Sequence, residues 1–360
     1  MKIVQISAGR DRSVVLTSNG TAHGWGGIKR LGATLPPGYP GELCTSSPTE
    51  IGHNRFAQPV PQTLNPDRPF TALADGYVDT LAVQRSGSVL SCRPVVSDQG
   101  AAHVEIAGLP SSPKQVAMTE SGGFALYADG SVWSWGLRAN GQLGREVSVR
   151  LDGPAPITGL PAVSMLATGH GHVLALDRKG QVWTWGANAA GQLGSGGLLE
   201  SAVPTKLKLP ASIQRIAAGD THSFAVDDKG RLWGWGSNNF GQTGDLVAKY
   251  SSVPVRIATD FSVAQIDAGM FYTVATSTQG DVFAWGWNGM GQLAQQDFPF
   301  SAKPIRVKSL ARVTRLAAGV GHALALTGDG VFAWGDNRAS ACGAFPSVLV
   351  QSTPNRVTFA

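Results

Sequence analysis

Three histidines, His172, His222 and His322, each stand three residues after a glycine and fall fifty and one hundred residues apart. Imidazoles brought to one ring could hold zinc. Arg12, Asp79, Gly122 and Tyr272 take the same place elsewhere in the chain, so a hydrogen-bonded turn histidine is the simpler reading. Gln142, Gln192, Gln242 and Gln292 follow turn glycines and are expected to satisfy backbone groups of those turns. Asn188, Asn238, Asn288 and Asn337 suit tight turns, where asparagine tolerates left-handed geometry. Cys92 and Cys342 replace a Trp and a Leu of other copies, which makes them small buried thiols and not nucleophiles. There is no phosphate-loop lysine, no Ser-centred elbow and no carboxylate pair placed for acid/base work. The expectation is a protein without metal, cofactor or turnover.

Composition agrees. Of 360 residues 42% are hydrophobic and 15% charged, enough for a large core and too apolar for disorder. The 46 glycines follow no collagen-like period and are expected in turns. The net charge, 29 − 24 = +5, is mild and has no Lys/Arg run behind it, so nucleic acid is not the expected partner. Cys44, Cys92 and Cys342 make neither a disulfide framework nor a zinc spacing, which fits a reducing compartment. The start, MKIVQISAGRDRSVV, lacks the apolar stretch of a signal peptide, and no run is long enough to span a bilayer. A cytoplasmic protein that does not insert into membranes is expected, with secretion by a non-classical route as the alternative.

The elements that position these residues are repeats. Taking Ile216 to Gly236 as the template, the marker Gly219 has counterparts at Gly9, Gly76, Thr119, Gly169, Gly269 and Gly319. A strand tryptophan recurs at Trp25, Trp135, Trp185, Trp235, Trp285 and Trp334, with Cys92 in its place in the second copy. A proline before alternating apolar residues closes the well-formed units at Pro154, Pro204, Pro254, Pro304 and Pro354, and Pro48 is its expected counterpart in the first. Each unit reads as four short strands in a meander. Units fall at about 3–52, 70–110, 113–158, 163–209, 213–258, 263–308 and 313–358 of a single domain spanning 1–360, with a Pro-rich excursion at about 27–69. The first strand is nearly bare of side-chain volume, as crowding toward an axis would require. The fold expected is all-β: one seven-bladed β-propeller of four-stranded antiparallel blades.

The pattern AAGxxHSxAVxxxGxLWxWGxNxxGQxG resembles the repeat of the regulator of chromosome condensation family, and it returns seven times over nearly the whole chain. That resemblance implies the propeller and three roles: a protein-binding scaffold or inhibitor, which could neutralise a partner enzyme or toxin; guanine-nucleotide exchange on a small GTPase; and chromatin association. Exchange factors of the family insert a hairpin wedge from a blade near the middle of the chain. Units three to seven have no such insertion, and the mild charge disfavours chromatin.

Strand parity places the turns after strands one and three on one rim. There the copies disagree most. Phe240, Met270, Phe271, Trp287 and Met290 fall on the adjacent units five and six, while Arg10, Tyr77 and Arg138 occupy matching turns of units one to three. Nine of ten tryptophans sit at the two strand positions; Trp287 does not. These eight residues are the candidate partner-binding set, and another protein is the expected partner.

Overall fold

The computed structural model describes the chain except residues 30–40, 43–48, 53–54, 65–67, 78, 94–100, 138, 147–150, 245–247, 297, 346 and 360. Seven antiparallel sheets surround one axis, and no helix occurs among the described residues. The all-β seven-bladed propeller expected from the repeats is the fold observed.

Blade five shows the unit. Ile213–Ala218, His222–Asp227, Leu232–Ser237 and Tyr250–Ile257 pair in sequence order. Every residue of His222–Asp227 is buried, because a neighbouring blade covers each face. Trp235 packs with Leu174, Leu176 and Val182 of blade four. Phe224, Val226 and Leu232 pack with Trp285 of blade six. Alternation along the strands thus gives each blade an aromatic face for one neighbour and a smaller apolar face for the other. The outer strands of blades three to seven each carry a proline, which cannot donate to a further strand and so blunts the edge.

The glycine after each strand tryptophan is a backbone requirement. Gly186, Gly236 and Gly286 have φ of 101°, 92° and 101°. The register with the fourth strand slips at each, between Thr184 and Gly186, Gly234 and Gly236, and Ala284 and Gly286. This is a bulge that only glycine adopts without strain.

The marker glycines meet a tighter limit. A Cβ on Gly219 would lie 2.5 Å from the carbonyl oxygen of Gly269; on Gly269, 2.4 Å from that of Gly319; on Gly319, 2.3 Å from that of Gly9. Amide bonds follow the same path: Asp220 N–H donates to Gly269 O (3.1 Å), Met270 to Val320 O (3.1 Å) and Val320 to Gly9 O (3.0 Å). Thr119 is the exception to the glycine. Its hydroxyl donates to Gln142 Oε1 (2.8 Å) and accepts from Gly122 N–H (2.9 Å), while Gly76 of blade two faces Met118 instead.

The first blade differs from its sequence reading. Its fourth strand is Arg55–Thr63, with Gly24 opposite Gln62 as Gly234 is opposite Val255. Pro61 therefore holds the place of Pro254, beyond the boundary at 52; Pro48 lies outside the described residues. The rest of the excursion adds edge strands. Thr49–Gly52 pairs outside Arg55–Thr63, and Gly41–Glu42 crosses to pair with Ala101–Glu105 of blade two. Closure uses no strand pairing between the first and last blades, since Ile3–Ala8 pairs only with Arg12–Thr17 and Val350–Arg356 only with Gly330–Asp336; the two blades meet by face packing and by hydrogen bonds such as Trp25 Nε1 to Ala341 O (2.9 Å). Phe359 seals the joint edge-on to His23 and Trp25, at 5.8 and 6.0 Å between ring centres.

The histidines also differ from the turn reading. His172 Nε2 meets Ser223 Oγ and His322 Nε2 meets Ser13 Oγ, each at 2.9 Å across a blade seam. Tyr272 takes the same place in blade six and donates to Gly319 O (3.1 Å) of blade seven.

Two expectations follow. Gly219→Ala should destabilise by about 1–3 kcal/mol through overpacking, whereas Gly153→Ala, whose Cβ would meet nothing within 4 Å, should leave the melting temperature nearly unchanged. Equal effects would refute the inter-blade limit. The second concerns acid. Burial holds His172 and His222 down at about 3 and His322 at about 4, all below the ordinary 6.5. The unfolded chain then binds more protons, so stability falls as pH drops below 6.5. Asp267, pushed by burial from 3.8 to about 6, and Asp75, also raised by burial, oppose this, two groups against four histidines, since burial lowers His23 as well. Each contributes about 1.4 kcal/mol per pH unit. The urea midpoint should fall between about pH 6.5 and 5, less steeply in His172→Gln; a flat profile would count against neutral buried histidines.

Candidate functional site

The turns after strands one and three lie side by side on one rim. Ser237 N–H donates to Thr221 O (2.8 Å), Trp287 to Phe271 O (2.9 Å) and Asp336 to Gly321 O (2.9 Å). On this rim the copies' disagreements gather into one cluster. Phe240 of blade five lies 5.3 Å from Phe271 and 6.2 Å from Trp287 of blade six, and Phe271 lies 6.1 Å from Trp287. All three rings are half-buried, as are Met270 and Met290 on the same turns. The rings touch one another and leave no space between them for a cation, so they present an outward apolar face and not an aromatic cage.

Trp287 has a seat of its own. A Cβ on Gly289 would lie 2.2 Å from Cζ2 of the indole. The equivalents of Gly289 are Ala189 and Asn239, beside Ala187 and Ser237 where Trp287 stands. Unit six thus departs from the repeat twice, and the two departures fit each other.

The other candidates lie apart. Tyr77 turns inward over the axis: its hydroxyl donates to Asp220 Oδ1 of blade five (2.8 Å), and its ring meets His170 edge-on at 4.9 Å. His170 Nε2 is 3.0 Å from Glu120 Oε2. Burial, then the nearby Asp220 carboxylate, raises the Tyr77 phenol well above its ordinary value, so it keeps its proton. These side chains stand at one mouth of an axial cavity of about 530 Å³, lined by first strands of all the blades. Arg10 is exposed at the same mouth. Arg138 lies outside the described residues.

Sequence reasoning missed a second, outer ring of apolar residues. Leu199 (87% exposed), Tyr250 (48%), Phe298 (53%), Phe300 (41%), Phe345 (71%) and Leu349 (58%) lead into the outer strands of blades four to seven. Phe300 pairs directly with Trp287, joining both rings of residues. Conserving the 50-residue register hid them: Tyr250, Phe300 and Val350 recur in step, so they do not stand out as departures. Buried asparagines hold these connections. Asn288 Nδ2 donates to Phe298 O (2.7 Å) and its Oδ1 accepts from Leu293 N–H (2.9 Å). Asn188 and Asn337 do the same for Leu199 O and Val348 O. The left-handed backbone expected for these asparagines is not adopted; they are side-chain clamps. The glutamines behave as expected, with Gln242 and Gln292 Oε1 accepting from Phe240 and Met290 N–H (2.9 Å each).

Little at this rim invites nucleophilic chemistry. Cys92 and Cys342 are buried, and burial pushes the Cys92 thiol up to about 12. Among the described residues no group of three or more His, Cys, Asp or Glu side chains could hold a metal ion. Among the described residues no helix is long and apolar enough to cross a membrane.

Comparison with curated protein sequences gives no match. Solved structures do match. Human WBSCR16 is 24% identical with a TM-score of 0.76, covering 89% of each chain. Yeast RCC1 (Prp20), crystallised bound to Kap60, is 21% identical with a TM-score of 0.72, covering 88% of this chain and 78% of that one. Prp20p of Saccharomyces cerevisiae, described for its binding to Gsp1p and histones, gives 20% and 0.73, covering 88% and 80%. At such identities the likeness is one of fold. The regulator of chromosome condensation (RCC1) repeat matches residues 3–27, and the RCC1-like domain matches residues 38–359. The chain belongs to the RCC1-like domain family.

Proposed function

We propose that this propeller is a non-enzymatic protein-binding module that acts as a scaffold or inhibitor through the rim carrying Phe240, Phe271 and Trp287. One observation carries the reading: large apolar side chains are exposed at the same rim on four successive blades, from Leu199 to Leu349. Exposed apolar surface of this kind marks protein interfaces, and rigid aromatic rings bind at small entropic cost. The repeat does not need a ring at position 287, since Ala187 and Ser237 stand there in its neighbours. A cytoplasmic setting fits the cysteine usage. An inhibitor that covers a partner enzyme is the specific form favoured, because a wide apolar rim suits occlusion.

Guanine-nucleotide exchange on a small GTPase is the second reading, supported by the likeness to Prp20p and its described binding to Gsp1p. Chromatin association is third; a net charge of +5 gives it little electrostatic support.

Trp287→Ala or Phe271→Ala should weaken binding to the native partner, isolated by pull-down, by about 2 kcal/mol or more. Trp235→Ala, which removes a ring with 0% exposure, should instead cost about 3–5 kcal/mol of folding stability. If Trp287→Ala unfolds the protein as badly, the ring is core and the interface does not exist. If that mutant is stable and binds normally, the functional surface lies elsewhere. Release of labelled guanine nucleotide from a panel of small GTPases separates the readings further: no acceleration is expected, and acceleration lost in Phe271→Ala would establish exchange.

A further inference from the structure

The turns after the second strands and the connections from each blade to the next form the rim opposite the aromatic one. The mild net charge hides how unevenly charge is divided between the two rims. Seventeen of the 29 Lys and Arg residues, against nine of the 24 Asp and Glu residues, fall in those segments or within three residues of them. That gives 17 − 9 = +8 on this side and 5 − 8 = −3 on the remainder.

The repeat builds this rim, so no run of basic residues betrays it. Lys206, Arg256, Arg306 and Arg356 stand at the same register near the ends of the outer strands of blades four to seven, and all are exposed. Each is the cross-strand partner of a half-buried ring: Trp183, Trp233, Phe283 and Phe332. The turns after the second strands add exposed Arg85, Arg178, Lys179 and Lys229, and the first strands bring exposed Lys114, Arg215 and Arg315 toward the axis. Part of the acid is turned inward. Asp177 and Asp227 are buried, each Oδ1 accepting two backbone N–H groups of its own turn at 2.8–2.9 Å. Asp281 Oδ1 pairs with Arg306 at 2.6 Å. Exposed cations thus reach from the axis to the perimeter on one side of the ring, while the exposed rings of Tyr250, Phe298, Phe300 and Phe345 stand on the other.

We propose that this basic rim adsorbs flat on the surface of an anionic lipid bilayer, with no side chain inserted. Shape selects that partner among polyanions. A bilayer is planar and meets the whole ring of cations at once, whereas a nucleic-acid duplex laid across the ring reaches only a strip of it. A folded protein partner would need an apolar anchor, and among the described residues this rim exposes no aromatic ring. Adsorption leaves the aromatic rim facing away from the lipid, and the inference does not rest on what that rim binds.

The test is co-sedimentation of the full chain with vesicles of phosphatidylcholine, alone or with about one-third phosphatidylserine. Binding is expected to the anionic vesicles only, and should vanish at about 1 M salt, which screens exposed charges beyond about 3 Å. Lys179→Gln, Lys208→Gln and Lys229→Gln, on exposed turns and connections where no packing is disturbed, should together weaken binding about a hundredfold, about fivefold per charge. Arg10→Gln, Lys249→Gln and Arg338→Gln change the net charge equally from the other rim and should leave binding within about twofold. Equal loss from the two sets would make the effect one of net charge and overturn the assignment to this rim. Absence of binding to the anionic vesicles at about 0.1 M salt would overturn it outright. So would a nucleic-acid duplex that binds more tightly than the vesicles and displaces the protein from them.

Discussion

The Cα atoms of the marker glycines sit against the carbonyl oxygens of the next blade's glycines, closer than any Cβ would allow. Everything around the axis follows from that approach. The first strands must be nearly free of bulk, so Ile-Ala-Ala-Gly and its variants line the axis. The backbone amides can then bond from blade to blade, and Gln5 and Gln115 reach across to the main chain of Leu73 and Leu166. Large rings are displaced outward, where the blades diverge and there is volume to fill.

That radial gradient of space explains the division of labour among aromatics. The rings of Trp185, Trp235 and Trp285 fill the wedge between blades and are fully buried. Phe240 and Phe271 lie in the turns and Trp287 is the last residue of its strand, so all three stand half-buried at the rim. They are held by the same turns whose carbonyls anchor the buried tryptophans, since Gln242 O accepts from Trp285 Nε1 while Phe240 stands two residues before it. The rim is therefore a rigid extension of the core, which lowers the ordering cost of any partner contact.

Departures from the repeat carry two different meanings. At Thr119 the lost glycine is compensated locally by a hydroxyl that binds Gln142 and Gly122. At Trp287 and Gly289 two changes fit each other and create a half-buried feature at the rim that the other copies lack. Agreement between copies is equally ambiguous: Tyr250 and Phe300 recur in register and are exposed, whereas Trp235 and Trp285 recur and are buried.

Apart from the extra edge strands Thr49–Gly52 and Gly41–Glu42 of blades one and two, the sequence by itself determined the strand type, the seven units and the rim on which variable turns emerge. Those properties depend on local spacing: glycine at each turn, a strand period of two, a repeat of fifty residues. It also singled out Trp287 with Phe240 and Phe271. The tertiary structure decided what meets across seams and across the axis. The pairing of His172 with Ser223, the reach of Tyr77 to Asp220, the asparagine clamps on the outer loops and the exposed Phe298 and Phe345 are set by how blades tilt and pack. The fourth strand of blade one fell at Pro61 and not Pro48 because pairing with Gly24 and Gly26, not proline position, fixes the register. Period reports which face of a strand a residue occupies; only the packed ring sets which neighbour waits there, because that depends on distances between segments far apart in the chain.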